Sequence, residues 1–141
     1  MLSGKVGRIC FSRLFEDEDL AEAIKKRAEE NGIKAGMFLL IGTLKGAVLG
    51  YYRAGQHQPI RLDGPLEIAS CTGTIAVDEK GEVAVHAHMV VSNEKSETFG
   101  GHLMTGSHVG IFAEIAIVEA LGVNLQRVFD EKTKLRLLKS S

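Results

Sequence analysis

The chain has 141 residues, of which 45% are hydrophobic and 25% charged, a size and composition typical of one globular domain. These values exclude an intrinsically disordered chain, because enough apolar surface is present to offset the conformational entropy lost on folding. The net charge of −1 lacks the basic excess of dedicated nucleic-acid binders, so charge gives DNA binding no support.

The cysteines and the apolar runs predict the location of the protein. Cys10 and Cys71 lie far apart and in no metal-ligand spacing, so we expect free, buried thiols in a reducing cytoplasm. Residues 1–8 lack the apolar core of a signal peptide, and no apolar run approaches the roughly 18 residues of a membrane-spanning helix. We therefore expect a cytoplasmic protein without membrane contact, forming a single domain over residues 1–141.

The N-terminal part of the chain predicts a strand followed by the one main helix. Residues 5–14 place apolar side chains between small and polar ones, as strands do. The acidic run at 16–19 suits a helix N-terminus, and apolar side chains at helical spacing predict a helix over residues 19–31. Gly32 is well suited to end it.

The middle of the chain predicts strands joined by short connections. Residues 35–42 and 46–52 are interpreted as two strands joined at Thr43, Leu44 and Lys45, and 55–59 as a loop. Residues 66–77 and 82–92 predict a hairpin around the turn at 78–81.

The C-terminal part is less sharply defined. After a polar loop at 93–98, residues 99–103 resume the fold. Residues 111–120 are apolar enough for a buried strand or a buried helix, and periodicity does not separate the two. A last strand at 134–138 could close the sheet. The predicted fold is α+β, a single domain with a mainly antiparallel sheet.

Two histidines at alternating positions form the first part of a predicted metal site. Residues two apart point to the same face of a strand, so His86 and His88 are expected to project side by side. His102 is the natural third ligand, because Gly100 and Gly101 before it permit close backbone approach and unusual dihedral angles. Three imidazoles suit zinc or another divalent metal, with one ion per chain. The alternative is an exposed strand face that binds no metal.

Such a triad leaves a fourth coordination position open, where a bound water can reach a pKa of about 7. Catalysis at this site would need a proton acceptor, and Glu67 and Glu114 are the two candidates. For Glu114 an exposed face of its segment is slightly favoured over a supporting role, and for Glu67 a role at the site and simple solvation are balanced. His108 is an additional ligand candidate, although a surface or packing role is favoured, and His57 is interpreted as a solvated loop residue.

Several motifs in fixed order resemble one known family over residues 8–137. They are Ile41-Gly42-Thr43-Leu44, Leu49-Gly50-Tyr51-Tyr52, Leu66-Glu67-Ile68, Gly73-Thr74-Ile75, His86-Ala87-His88, Gly100-Gly101-His102-Leu103 and Ala113-Glu114. As an ordered set they resemble the plants-and-prokaryotes conserved (PPC) domain, which in plants is fused to AT-hook DNA-binding motifs.

The resemblance implies an α+β fold with a strongly curved antiparallel sheet and a homotrimer as the usual assembly. It also implies a metal at the histidine set, here His86, His88 and His102. Prokaryotic members are often described as predicted DNA-binding proteins, but the Arg-Gly-Arg core of the AT-hook is absent from this sequence.

A more distant similarity connects the fold and the histidine arrangement with acetolactate decarboxylase, a zinc enzyme. No substrate-binding arginine or catalytic glutamate pattern of that enzyme is recognisable in the sequence. The sequence thus predicts, first, a metal-binding homotrimeric PPC-type domain with a regulatory or assembly role. A zinc enzyme acting on a small carbonyl or ester substrate is the second hypothesis, and a DNA-binding protein is the third.

Overall fold

The computed structural model describes residues 1–139, which form an α+β structure with a predominantly antiparallel sheet, as predicted. Its elements in chain order are β1 (Lys5–Phe15), α1 (Leu20–Glu30), β2 (Gly36–Arg53), β3 (Gln56–Val77), β4 (Val83–Ser92), β5 (Thr98–Leu103), β6 (His108–Leu121), β7 (Arg127–Asp130) and β8 (Leu135–Leu138).

The predicted helix over residues 19–31 is confirmed as α1 with its two caps. Asp19 is the N-cap, and its carboxylate accepts hydrogen bonds from the backbone N–H groups of Ala21 and Glu22 at 3.1 and 3.2 Å. Asn31 is the C-cap, and Gly32 follows with a φ of +66°, a conformation that glycine adopts without strain.

Six strands form one sheet in the order β1-β6-β2-β3-β4-β5, and every neighbouring pair is antiparallel. Strand β5 also pairs with β2, through Leu49 opposite Leu103 and Gly50 opposite His102. Since β5 reaches back to β2 across the width of β3 and β4, the sheet is strongly curved, as the family resemblance implied. This curvature brings the end of β2 next to β5.

The predicted break at residues 43–45 is wrong, because β2 is one strand of 18 residues. Register shifts between Leu40 and Gly42 and between Leu44 and Gly46 absorb the irregular sequence as bulges. At Gly42 a side chain would lie 2.5 Å from the Cα of Ala113, so this glycine lets β6 approach closely.

The predicted loop at 55–59 is also wrong, because the chain turns earlier and more tightly. Ala54 and Gly55 have φ values of +51° and +84° and connect β2 to β3 as a two-residue turn. Strand β3 therefore begins at Gln56, which is paired with Arg53.

The two open questions in the C-terminal part have different answers. Residues 108–121 form a strand, β6, which pairs with both β1 and β2. The strand predicted at 134–138 exists as β8, but it does not close the main sheet. It pairs with β7, which the sequence analysis did not predict, in a separate two-stranded sheet. A parallel bridge between Val77 and Gln126 connects this hairpin to the end of β3.

The hydrophobic core lies where α1 packs against β1, β4 and β6. Its largest fully buried side chains include Phe38, Leu20, Ile24, Ile75 and Ile115. Within residues 1–139, no helix has the length and apolar character needed to cross a membrane.

Candidate metal centre

The three predicted histidines meet on one face of the curved sheet. His86 and His88 alternate along β4, and His102 on β5 is the direct cross-strand partner of His88. Each residue offers one ligand atom, and these three atoms lie within 4.8 Å of one another. The ring centroids are 5.2 to 5.4 Å apart. The sheet thus presents three imidazoles converging on one point.

The chemical state of these imidazoles fits a metal ligand set. Burial lowers the pKa of His86 to about 4, with a further contribution from the positive charge of Arg127. Burial and the neighbouring His57 lower the pKa of His102 to about 4 as well. Both rings are therefore neutral at pH 7, which is the form that binds metals.

An unsatisfied atom provides an independent test of the fit. The Nδ1 atom of His102 is buried and has no hydrogen-bond partner in the described part of the chain. Leaving a buried polar nitrogen unpaired costs about 1–3 kcal/mol, so native structures rarely tolerate it. A metal ion at the triad would supply a partner at this histidine.

His57 lies beside the triad, contrary to the expectation of a solvated loop residue. Its ring stacks on that of His102, with centroids 4.2 Å apart and planes 13° from parallel. Gly50 makes room for this contact, since a side chain there would begin 3.2 Å from the Cβ of His57. Tyr52 contacts the ring of His57 edge-on at a centroid distance of 5.9 Å. The two-residue turn of the β2–β3 hairpin was the missed signal, because its register sets Tyr52 opposite His57.

Arg127 is the second residue near the site that sequence reasoning missed. It begins β7 and is 9% exposed, and its Nη2 donates a 2.9 Å hydrogen bond to the hydroxyl of Thr74. Thr74 lies directly opposite His86 in the β3–β4 pair. No local sequence pattern indicated this neighbour, since its position depends on where the C-terminal hairpin docks.

The two predicted supporting glycines differ from each other. A Cβ at Gly101 would lie 3.0 Å from the carbonyl oxygen of Gly50, so the expected close approach of strands occurs there. A Cβ at Gly100 would make only ordinary contacts, the nearest at 3.4 Å from a methyl group of Val90. Neither glycine has a positive φ, so the expected unusual dihedral angles are not observed.

The structure does not bring the other three candidates into the histidine cluster. Glu67 is exposed and lies opposite Ser92, at the far end of the β3–β4 pair from Thr74. Glu114 is exposed on β6, between Arg13 and Ile41 of the flanking strands. This position agrees with the interpretation that Glu114 lies on an exposed face of its segment. His108 is exposed at the start of β6.

Several solved structures are similar to this chain over most of its length. A metal-containing protein from Archaeoglobus fulgidus is 30% identical, with a TM-score of 0.89 over 99% of both chains. A plant- and prokaryote-conserved protein from Pyrococcus horikoshii is 32% identical, with a TM-score of 0.88 over 100% of this chain and 96% of the other. A candidate DNA-binding protein from Ralstonia eutropha is 26% identical, with a TM-score of 0.81 over 93% and 90%.

Among curated proteins, the bifunctional protein GlmU of Synechococcus sp. (strain JA-3-3Ab) is 30% identical over 122 residues, which is 86% of this chain. The chain spans only 18% of the length of the curated relatives that it matches. The family described as the Plants and Prokaryotes Conserved (PCC) domain matches residues 1–121. The chain therefore belongs to the Plants and Prokaryotes Conserved domain family.

Proposed function

We propose that this chain binds one divalent metal ion, zinc in the first place, through His86, His88 and His102. The observation that carries the proposal is the convergence of three ligand atoms within 4.8 Å, together with the buried Nδ1 of His102, which has no hydrogen-bond partner within residues 1–139. Imidazole is a preferred ligand of zinc, although other divalent metals share this preference. The similar protein from Archaeoglobus fulgidus is metal-containing, which supports the same property here.

A metal titration tests this proposal directly. The purified, metal-free protein competes for Zn²⁺ with a chromophoric chelator, and the wild type is compared with His88→Ala. The variant should bind Zn²⁺ at least about tenfold more weakly, because a three-ligand site loses one of its donors. His108→Ala is the matched control, since this exposed histidine lies outside the cluster. Equal Zn²⁺ affinity of His88→Ala and the wild type would contradict the proposal.

We further propose that the chain assembles as a homotrimer with a regulatory or assembly role. A surface of exposed apolar side chains supports self-association. On β1 and β2, Phe11 and Leu39 are 80% and 53% exposed, and both lie opposite Ala116 of the intervening β6. Ile9 and Met37 form the next row in the same way, around Val118. Contiguous apolar surface of this kind marks interaction sites, and the number of three subunits follows the family resemblance.

Sedimentation velocity tests the assembly. The wild type should sediment as a species of three times the 15.3 kDa chain mass. Leu39→Asp should shift it towards the monomer, because a charge in an apolar interface is left without solvation. A wild type that is monomeric at micromolar concentration would exclude the trimer.

A zinc-dependent enzyme acting on a small carbonyl or ester substrate is the second candidate function. The specific observation in its favour is the three-ligand set, which leaves a coordination position for a substrate. The metal would supply Lewis-acid chemistry, and His86, His88 and His102 would hold it in place. Turnover of a panel of small carbonyl and ester compounds by the Zn²⁺-loaded protein, abolished in His88→Ala, would support this function. Absence of turnover across the panel would oppose it.

DNA binding is the third candidate, and its support is the Ralstonia eutropha relative. The net charge of −1 offers no general attraction to phosphates. Titration of labelled duplex DNA with the protein at low and moderate salt tests this function. A lack of binding at low salt would exclude it.

We also propose the cytoplasm as the location, since Cys10 and Cys71 are both free thiols, as expected in a reducing compartment.

A further inference from the structure

Within residues 1–139, Arg127 is a buried cation without an acidic partner. Its guanidinium donates to two neutral acceptors, the hydroxyl of Thr74 at 2.9 Å and the backbone carbonyl of Arg136 at 3.2 Å. None of the ion pairs in the described part of the chain involves it. Its Nε is buried and has no hydrogen-bond partner there. Buried charges are normally paired, so among the described residues this arginine lacks the counter-charge that its burial calls for.

The guanidinium lies beside the strand position that pairs with His86. Thr74, which holds Nη2, is the cross-strand partner of His86. Directly paired residues of neighbouring strands point to the same face of the sheet, so Thr74 holds the guanidinium on the face that carries His86. The C-terminal hairpin is also fixed through Tyr52, whose hydroxyl donates a hydrogen bond to the carbonyl of Thr133 at 2.9 Å.

A bound metal ion would leave an excess of positive charge around the histidine triad and Arg127. A divalent ion on three histidine ligands adds two positive charges near the guanidinium, and no carboxylate of residues 1–139 belongs to the cluster. Like charges in a partly desolvated site repel each other strongly, so the arrangement favours an anion that contacts both. Arginine suits this task because its planar fork of donors matches the two oxygens of a carboxylate.

We propose that Arg127 and the metal held by His86, His88 and His102 form a two-point binding site for a small carboxylate ligand. One carboxylate group occupies the open coordination position and accepts hydrogen bonds from the guanidinium. Arg127 and its hairpin lie beyond residues 1–121, the part of the chain that the family model matches. This inference rests on the proposed metal site and assigns the class of ligand that the site takes.

Cobalt substitution provides a test with a spectroscopic signal at the metal. The protein is loaded with Co²⁺, its visible absorption is recorded, and acetate is added, with acetamide as the neutral analogue. We expect a saturable spectral change with acetate and none with acetamide at the same concentration. Arg127→Met should raise the Kd for acetate by about tenfold or more, because it removes one partner of a desolvated charge pair. Arg127→Lys should fall between the two, since it keeps the charge and loses the fork.

The controls separate this inference from the metal site itself. Arg61→Met removes an exposed arginine elsewhere on β3 and should leave the acetate Kd unchanged. The Co²⁺ content is measured for every variant, and thermal unfolding shows whether Arg127→Met remains folded. The comparison of acetate with acetamide uses only the wild type, so it tests the inference even if this variant does not fold. Bound Co²⁺ with a spectrum that acetate does not change would overturn the carboxylate site alone. Failure of the wild type to bind Co²⁺ would overturn the metal site and this inference together.

Discussion

Gly73 couples the core to the histidine site, and a methyl group added there is expected to disturb both. This residue lies on β3 between Thr72 and Thr74, which pair with His88 and His86. A Cβ built at Gly73 would lie 2.3 Å from the carbonyl oxygen of His86 and 2.7 Å from the ring of Phe38. Phe38 is fully buried, so its ring has no solvent space into which it could move.

The size of the effect follows from these distances. A carbon–oxygen contact normally requires about 3.3 Å or more, so β4 must move by roughly 1 Å at His86. Overpacking of a core costs about 1–3 kcal/mol, and we expect about 3 kcal/mol here because the obstacle is backbone rather than a flexible side chain. For a protein of this size the loss corresponds to a decrease of about 6–12 °C in Tm. Metal affinity should fall by about tenfold or more, since ligand positions are tolerated only within about 0.2 Å.

The assay compares Gly73→Ala with Gly100→Ala by urea unfolding of the metal-free proteins and by Zn²⁺ titration. At Gly100 the new Cβ meets nothing closer than 3.4 Å, so this control should stay within about 0.5 kcal/mol of the wild type. The reasoning would be refuted if Gly73→Ala matched the wild type in both stability and Zn²⁺ affinity.

Three further predictions concern pH, the helix cap and a partly buried ion pair. The metal-free protein should lose stability as pH falls from about 6.5 to about 4. His86 and His102 have a pKa of about 4 in the folded state and an ordinary pKa in the unfolded state. The unfolded state therefore binds more protons in this pH range, and protonation favours it. Tm measured against pH in the presence of a chelator checks this, and a smaller decline is expected for His102→Ala; a flat profile contradicts it. Asp19→Ala should lower the free energy of unfolding, measured with urea, by about 1–2 kcal/mol. The Asp19 carboxylate caps α1 and also accepts a 2.6 Å hydrogen bond from the N–H of Gly106. Asp19→Asn should restore part of the loss. Arg27→Met should lower the free energy of unfolding by about 2 kcal/mol in the same assay, because Arg27 is 8% exposed and its loss leaves Glu18 without its cation. Solvent at the Glu18 carboxylate limits this loss. Unchanged stability would show that the pair contributes nothing.

Features encoded by neighbouring residues could be predicted from the sequence. The helix over 19–31 was predictable because its cap, apolar spacing and terminating glycine all lie within the segment itself. The pairing of His86 with His88 on one face follows from strand alternation alone. His102 was predictable as a nearby third histidine, and its position opposite His88 is a property of the strand register.

Features that depend on register or on docking could not be predicted in this way. Glycines in β2 resemble a turn, but the strand continues because its two neighbours accommodate bulges. His57 became a neighbour of His102 through the tight turn at Ala54 and through the contact of β2 with β5. Arg127 reaches the site through the docking of a short hairpin, for which no periodicity in the sequence provides a signal.

The account depends most on the metal at the histidine triad, and metal content per chain tests it most directly. Untagged wild-type protein is analysed by inductively coupled plasma mass spectrometry beside the triple variant His86→Ala/His88→Ala/His102→Ala, with circular dichroism to establish that both are folded. We predict close to one zinc or other divalent ion per chain in the wild type and none in the variant. A wild type that remains metal-free after incubation with Zn²⁺, or a variant that binds the same amount, would contradict the central claim.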